Sequence, residues 1–197
     1  MTEIRYATTN QAKVLSLKRR IEKYAIKIIQ IPLKMPEPRS YDVEEIAKAK
    51  IEFAYKQIRK PVVVLDAGFY IPSLNGFPRA FVNFALDTID IEGILKLVEN
   101  KPRSCEFVEC LAYHDASLSE PKLFTAKIKG ELSDSPAGTI QPHQWSKLSL
   151  IFIPLGHDKT LAEMSKEEYL NWSDVTLKES ASKMFIDWFI KSGNYSG

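Results

Sequence analysis

Cysteine is scarce in this sequence, with Cys105 and Cys110 the only two among 197 residues. They stand five apart in a segment that alternates like a strand and match no metal-ligand pattern, so both are expected as buried free thiols, on the same or nearby faces, in a reducing compartment. Charge of one sign is lacking too. With 27 basic and 25 acidic residues, the formal net charge is +2, too even a balance for duplex nucleic acid as the main partner, although local clusters can still hold small anions. Long apolar runs are absent. No window approaches the ~20 apolar residues that a membrane span needs, and the opening MTEIRYATTNQAK has no apolar core of a signal peptide, so no membrane partner and a cytoplasmic location are expected. No internal repeat or low-complexity tract appears. What is present, 45% hydrophobic and 26% charged residues, suits an ordinary soluble globular chain, long enough for one large domain or two tightly joined halves.

Strands and helices alternate through the first half. Ile4 to Ala7 reads as a strand, Thr8, Thr9 and Asn10 as a polar turn, and Val14, Leu17, Ile21 and Tyr24 as a helical stripe. Lys27 to Pro32 alternates like a second strand, closed by the proline-rich LKMPEPRS. Asp42 is placed to cap a helix, with Glu45 three residues on, whose apolar stripe is Val43, Ile46, Ala47, Phe53, Ala54 and Ile58. Val62 to Leu65 has no alternation, which fits a strand covered on both faces and ending at Asp66. The pattern predicts an α/β sheet. Residues 91–98 predict a short helix, Cys105 to Tyr113 and Leu123 to Leu132 an antiparallel pair, LIFIP a strand, and the end a helix carrying Met184, Phe185, Trp188 and Phe189.

In open α/β sheets ligands bind beyond the carboxyl ends of strands, which singles out TTNQAK after the first strand and DAGF after the third. The first sets two hydroxyls, an amide and Lys13 around a helix N-terminus, where free N–H groups and the dipole favour phosphate. Its plainer reading has Thr9 or Asn10 capping the helix and Lys13 in solvent. Asp66 has the chemistry of a general base or of a ligand for a hard cation on a polyphosphate. Its plainer reading is the cap of a following turn. Asn75, Gly76 and Pro78 shape a loop. His143, Trp145 and Lys147 offer rings and a cation to a nucleotide, or make ordinary surface. His114 and His157 are assigned to the surface.

These segments, in this order over most of the chain, resemble the inosine triphosphate pyrophosphatase family, also called Ham1-like. TTNQAK looks like its Thr-x-Asn-x-x-Lys loop, and LDAGFYIPSLNGFPRAF is similar to its acidic-Asp-Ser/Thr-Gly-Leu segment with the Asn-Gly-x-Pro-Gly loop. IEGILKLVE resembles the next helix, and LIFIP with GHDKTLAEMSKEE the Phe-x-Pro and Lys-Thr-x-Ala-Glu-Met segment. The resemblance implies a two-lobed α/β fold over residues 1–197, with a central mixed sheet, flanking helices and a cleft between lobes. It further implies a homodimer that hydrolyses non-canonical purine nucleoside triphosphates such as ITP and XTP to the monophosphate and pyrophosphate with Mg²⁺, or Mn²⁺ in its place.

Carried over residue by residue, Thr8, Asn10 and Lys13 fall on the phosphate loop and Asp66 on the family's proposed general base and metal contact. Lys159, Glu163 and Met164 fall on a mostly structural segment. Other positions depart. Leu65 stands where the family has an acidic metal contact, Tyr41 stands near a second metal-linked Glu with Glu37 and Glu44 close by, and Arg79 replaces the loop glycine. Ser149 replaces an Asp at the base, and VTLKESASK replaces the base-gripping Ser-His-Arg, leaving Lys178 as the one cation near the Arg position. Two readings follow. One is an active pyrophosphatase of altered base choice; the other is a silent relative that binds nucleotide or serves as a dimerising scaffold. Nucleic-acid binding through Lys18, Arg19, Arg20 and Lys23 is the weakest, since such a run is usually a solvated helix face.

Overall fold

The computed structural model describes residues 2–22, 24–144 and 146–192. In chain order the elements are β1 (Thr2–Ala7), α1 (Gln11–Ile21), β2 (Ile26–Ile31), α2 (Val43–Ile58), β3 (Val62–Tyr70), β4 (Pro78–Arg79), α3 (Val82–Leu97), β5 (Ser104–His114), β6 (Lys122–Leu132), β7 (Phe152–Pro154), α4 (Lys166–Thr176) and α5 (Ala181–Lys191). The strands pair in the order β2-β1-β3-β5-β6-β7, with β4 on β3. β1 runs parallel to β2, from Thr2 opposite Ile26 to Ala7 opposite Ile31, and parallel to β3, with Arg5 opposite Val62. Parallel neighbours need a long crossover, and α1 and α2 are those crossovers. β3 with β4 and β6 with β7 are antiparallel, so the sheet is mixed. Among the described residues no helix is long and apolar enough to cross a membrane.

The chain forms two compact units. The first comprises the described residues up to Asp66, Glu109–Ala126 and those from Glu179 onward; the second comprises Ala67–Val108 and Lys127–Lys178. In the first, Val62, Val63 and Val64 are sealed on both faces, as their unbroken apolar run predicts. α1 buries Val14, Leu17 and Ile21, while Tyr24 lies beyond its end. Tyr113 of β5 packs its ring against Phe185, Trp188 and Phe189 of α5, with centroids 5.4–5.5 Å apart. Met184 points outward instead, at 41% exposure. The second unit has its own core, in which Phe152 meets Phe69 and Phe107 edge-on among Ile91, Ile94, Val98, Leu132 and Leu148.

Several local expectations are corrected. β3 does not stop before Asp66 but runs on to Tyr70, so Asp66 lies within a strand rather than at the head of a turn. The glycine that follows serves proximity: a Cβ on Gly68 would lie 2.8 Å from the Arg79 carbonyl oxygen, so its absence lets β4 close on β3. α3 begins nine residues before Ile91, because Asp90 breaks it internally at φ 52, ψ −169 and masks one continuous helical period. Asp42 does cap α2, its carboxylate accepting from Glu44 N, but Glu45 turns away to accept from the Ser40 hydroxyl. Both thiols are buried and free. They do not share a face, since five steps along β5 is an odd number and side chains alternate.

Candidate active site

The first βα turn is built by its own side chains. Thr8 is buried, its hydroxyl accepts from Asn10 N at 3.1 Å, and its carbonyl accepts from the Gln30 amide at 3.1 Å. Asn10 has extended backbone, and its Oδ1 accepts from Lys13 N at 3.2 Å. Asn10 therefore caps α1, the plainer of the two roles foreseen for it, and Thr8 braces the turn before it. The first turn of α1 holds no acidic residue, so its positive end is left to whatever anion arrives. Lys13 departs from its plainer role. Its ammonium turns inward and donates to the Leu65 carbonyl at 2.9 Å. Burial pulls its pKa below the ordinary lysine value, with the charge of Asp66 acting against that shift.

Leu65 thus contributes through its main chain. Its side chain is 7% exposed and, one residue from Asp66 along β3, faces the opposite way. Asp66 projects toward α2, where Lys50 Nζ lies 2.8 Å from its Oδ1 and 2.8 Å from Glu37 Oε2. The side chains of Lys50, Asp66 and Glu37 are 8%, 18% and 78% exposed, so the bridge runs from the interior to solvent. Burial lowers the Lys50 pKa, but the Asp66 charge and the bonds to Asp66 and Glu37 outweigh it, and Lys50 is held above its ordinary value.

Lys50 was not foreseen, although a signal existed. It occupies the α2 stripe among Ile46, Ala47, Ile51 and Ala54, all buried, and a lysine on an apolar stripe needs a charged partner. The tyrosine at 41 and the two carboxylates near it lie in different surroundings. Tyr41 is 66% exposed, Glu44 accepts from the Thr125 hydroxyl at 2.6 Å, and Glu37 alone of them is joined to Asp66 through Lys50.

Elsewhere the foreseen residues have other occupations. Lys178 lies exposed in a short 3-10 turn of the second unit. Arg79 occupies the left-handed region at φ 56, the conformation that favours glycine there, and its guanidinium donates to the Asn75 carbonyl. Ser149 is buried, and its carbonyl accepts from Ala162 N. His143 packs on the Tyr169 ring at 4.4 Å and Lys147 pairs with Asp90 at 2.9 Å, while Trp145 and Lys23 lie outside the described residues. His114, expected at the surface, is buried and stacks on Tyr55 with centroids 4.1 Å apart; its alternation with buried Tyr113 hid this, because β5 is covered on both faces. Lys159, Glu163 and Met164 are structural, as foreseen. Thr160 N donates to Glu163 and Glu163 N to the Thr160 hydroxyl, Lys159 pairs with Glu168, and Met164 is buried. Of the basic run, Lys18 is exposed but Arg20 reaches the Ser180 hydroxyl at 3.5 Å.

Among the described residues no three of His, Cys, Asp and Glu come together as a cation cage. Two carboxylates and two lysines nonetheless make a coherent polar set, with hard oxygen donors and the Lys50 ammonium between them. Such a set suits a hard divalent ion held by one or two protein carboxylates plus the phosphates of its ligand, the usual manner of Mg²⁺.

Comparison with known proteins finds relatives along most of the chain. The chain is 34% identical over 188 residues to the dITP/XTP pyrophosphatase of Methanopyrus kandleri, covering 95% of this chain and 96% of that protein. It is 34% identical over 167 residues to the dITP/XTP pyrophosphatase of Saccharolobus solfataricus, covering 84% of each. The Ham1 protein of Staphylococcus aureus superposes with a TM-score of 0.75 at 25% identity, covering 98% of this chain and 100% of that one. The sequence profile described as the Ham1 family matches residues 4–188. From the first strand to the last helix, this chain belongs to the Ham1 family.

Proposed function

We propose that this chain hydrolyses non-canonical purine nucleoside triphosphates of the dITP and XTP kind to the monophosphate and pyrophosphate. The observation that carries the reading is the Glu37–Lys50–Asp66 bridge set in the same unit as Lys13 and the uncompensated N-terminus of α1. The names of the relatives supply the substrate class.

Asp66 is the proton acceptor. Its carboxylate takes a proton from water as the water oxygen bonds to the α-phosphorus, the bond from that phosphorus to the α–β bridging oxygen breaks, and the pyrophosphate leaves with that oxygen from the opposite side. Lys13 and Lys50 place cations against the phosphate oxygens, where negative charge spreads in the transition state. Thr8 and Asn10 hold the loop that presents the α1 N–H groups to those oxygens. Asp66 and Glu37 are the residues that would hold Mg²⁺, or Mn²⁺ in its place; when bound, it neutralises phosphate charge as a Lewis acid. A homodimer, as the family resemblance implies, and a cytoplasmic location complete the proposal; light scattering tests the former.

The test is pyrophosphate release from dITP, XTP, dATP and dGTP with Mg²⁺. Turnover of the deaminated pair is expected, falling by about 10²–10⁴-fold in Asp66→Asn, the usual contribution of a positioned general base. Nucleotide binding without pyrophosphate release from any of the four would leave the scaffold reading in its place.

A further inference from the structure

Lys50 does more than balance one acid. Its ammonium touches two carboxylates, at 2.8 Å each. It stands on the α2 stripe with Ile46, Ala47, Ile51 and Ala54, all buried, so the charge is delivered to the pair from the buried side of the helix. A cation thus already occupies the position between Glu37 and Asp66 that a divalent ion held by both acids would need.

We infer that Lys50 is the resident cation of the Glu37–Asp66 pair: it bars a free divalent metal from these carboxylates and releases them only to a metal that arrives on a triphosphate. This rests on the function proposed above, for the second half of the statement. The charges decide the first half. Lys13 and Lys50 already stand against Asp66 and Glu37, with the charge of Glu109 also acting on Lys13, so a bare divalent ion would meet two ammonium groups near the acids it needs. Among the described residues no third acid or histidine gathers at the pair to offset them. A metal–triphosphate has net negative charge, and its phosphate oxygens are acceptors to which Lys50 can transfer its hydrogen bonds as it leaves the acids. The exchange conserves charge pairing throughout: ammonium passes from carboxylate to phosphate, and the carboxylates pass from ammonium to metal. Metal entry is thereby made conditional on nucleotide.

The experiment measures Mn²⁺ binding to the full chain by loss of the free-ion paramagnetic resonance signal, without nucleotide and then with α,β-methylene dITP. Wild type is expected to bind no Mn²⁺ at low millimolar concentration alone and to bind it with the analogue. Lys50→Met, checked for folding by its circular dichroism, is expected to bind free Mn²⁺ at least about tenfold tighter than wild type, the equivalent of about 1.4 kcal/mol. Lys50→Arg should stay closed to free Mn²⁺, and Asp66→Asn in the Lys50→Met background should remove the acquired site. The inference is overturned if wild type binds free Mn²⁺ as tightly as Lys50→Met, or if neither binds it. Should Lys50→Met not fold, the wild-type measurements decide, since free-ion binding that the analogue does not strengthen also overturns it. Absence of pyrophosphate release from every triphosphate, with the Mn²⁺ differences intact, would remove the proposed function and leave the exclusion of free metal standing.

Discussion

Lys50→Met and Asp66→Ala remove opposite ends of one hydrogen bond, and they should change stability by unlike amounts. In Asp66→Ala the ammonium stays 8% exposed and retains only Glu37, a partner 78% exposed and screened by water. Loss of a charge-assisted bond to a group that cannot be rehydrated is worth about 1.5–3 kcal/mol. It falls below the ~3–5 kcal/mol of breaking a fully enclosed pair, because Glu37 remains. In Lys50→Met the ammonium goes together with its desolvation. Methionine follows the path of the lysine stem between Ala47 and Ala54. The carboxylates left behind are open to water at 18% and 78% exposure, and Asp66 still has the charge of Lys13 near it. The expected change is within about 1 kcal/mol of wild type, in either direction. Urea unfolding at neutral pH, followed by tryptophan fluorescence, reads both. Equal destabilisation by the two variants, or a greater one by Lys50→Met, would refute the reasoning and show that the ammonium anchors α2 rather than burdening it.

Asp90→Gly should be more stable than Asp90→Ala by about 1–2 kcal/mol. Both lose the bonds to Ile91 N and Lys147, but only glycine is at ease at φ 52, ψ −169, a region whose strain is worth about 1–3 kcal/mol, less the larger chain entropy of glycine. Equal melting temperatures would speak against strain at the kink. At the start of α4, the Lys159 ammonium and then the N–H and hydroxyl of Ser165 hold Glu168 down to about 2 from an ordinary 4.5. A carboxyl depressed in the folded chain stabilises above its unfolded value and loses that effect as pH falls toward its folded value. The difference in melting temperature between wild type and Glu168→Gln should therefore shrink as pH drops from 4.5 toward 2; a difference that stays constant over that window would contradict it.

Much of the fold was legible because period and punctuation agree. Val14, Leu17 and Ile21 lie at helical spacing and are buried, Asp42 caps where a polar residue precedes an apolar stripe, and the valines before Asp66 are sealed as an unbroken run implies. The misreadings share a cause, in that contacts distant in sequence overrode local cues. Gly68 reads as a turn but answers to Arg79 eleven positions later. Asp90 interrupts a helix that would otherwise show one long period. At the site, the position of Asp66 was legible from its strand; the one local sign of Lys50 is its place on the apolar stripe of α2, and the two acids that meet it there, Asp66 and Glu37, come from segments distant in sequence. Glu37 sits in an irregular proline-rich segment, where no periodicity tells which carboxylate turns inward.

The contact between the Lys13 ammonium and the carbonyl of residue 65 is one that any amino acid at that position would supply. Replacement of a neighbouring acid by leucine therefore leaves this part of the wiring intact, and position 65 can drift between charged and greasy letters without unhooking the lysine. Comparison of letters alone scores such a change as the loss of a functional group. The main chain, which carries no letter, keeps the connection.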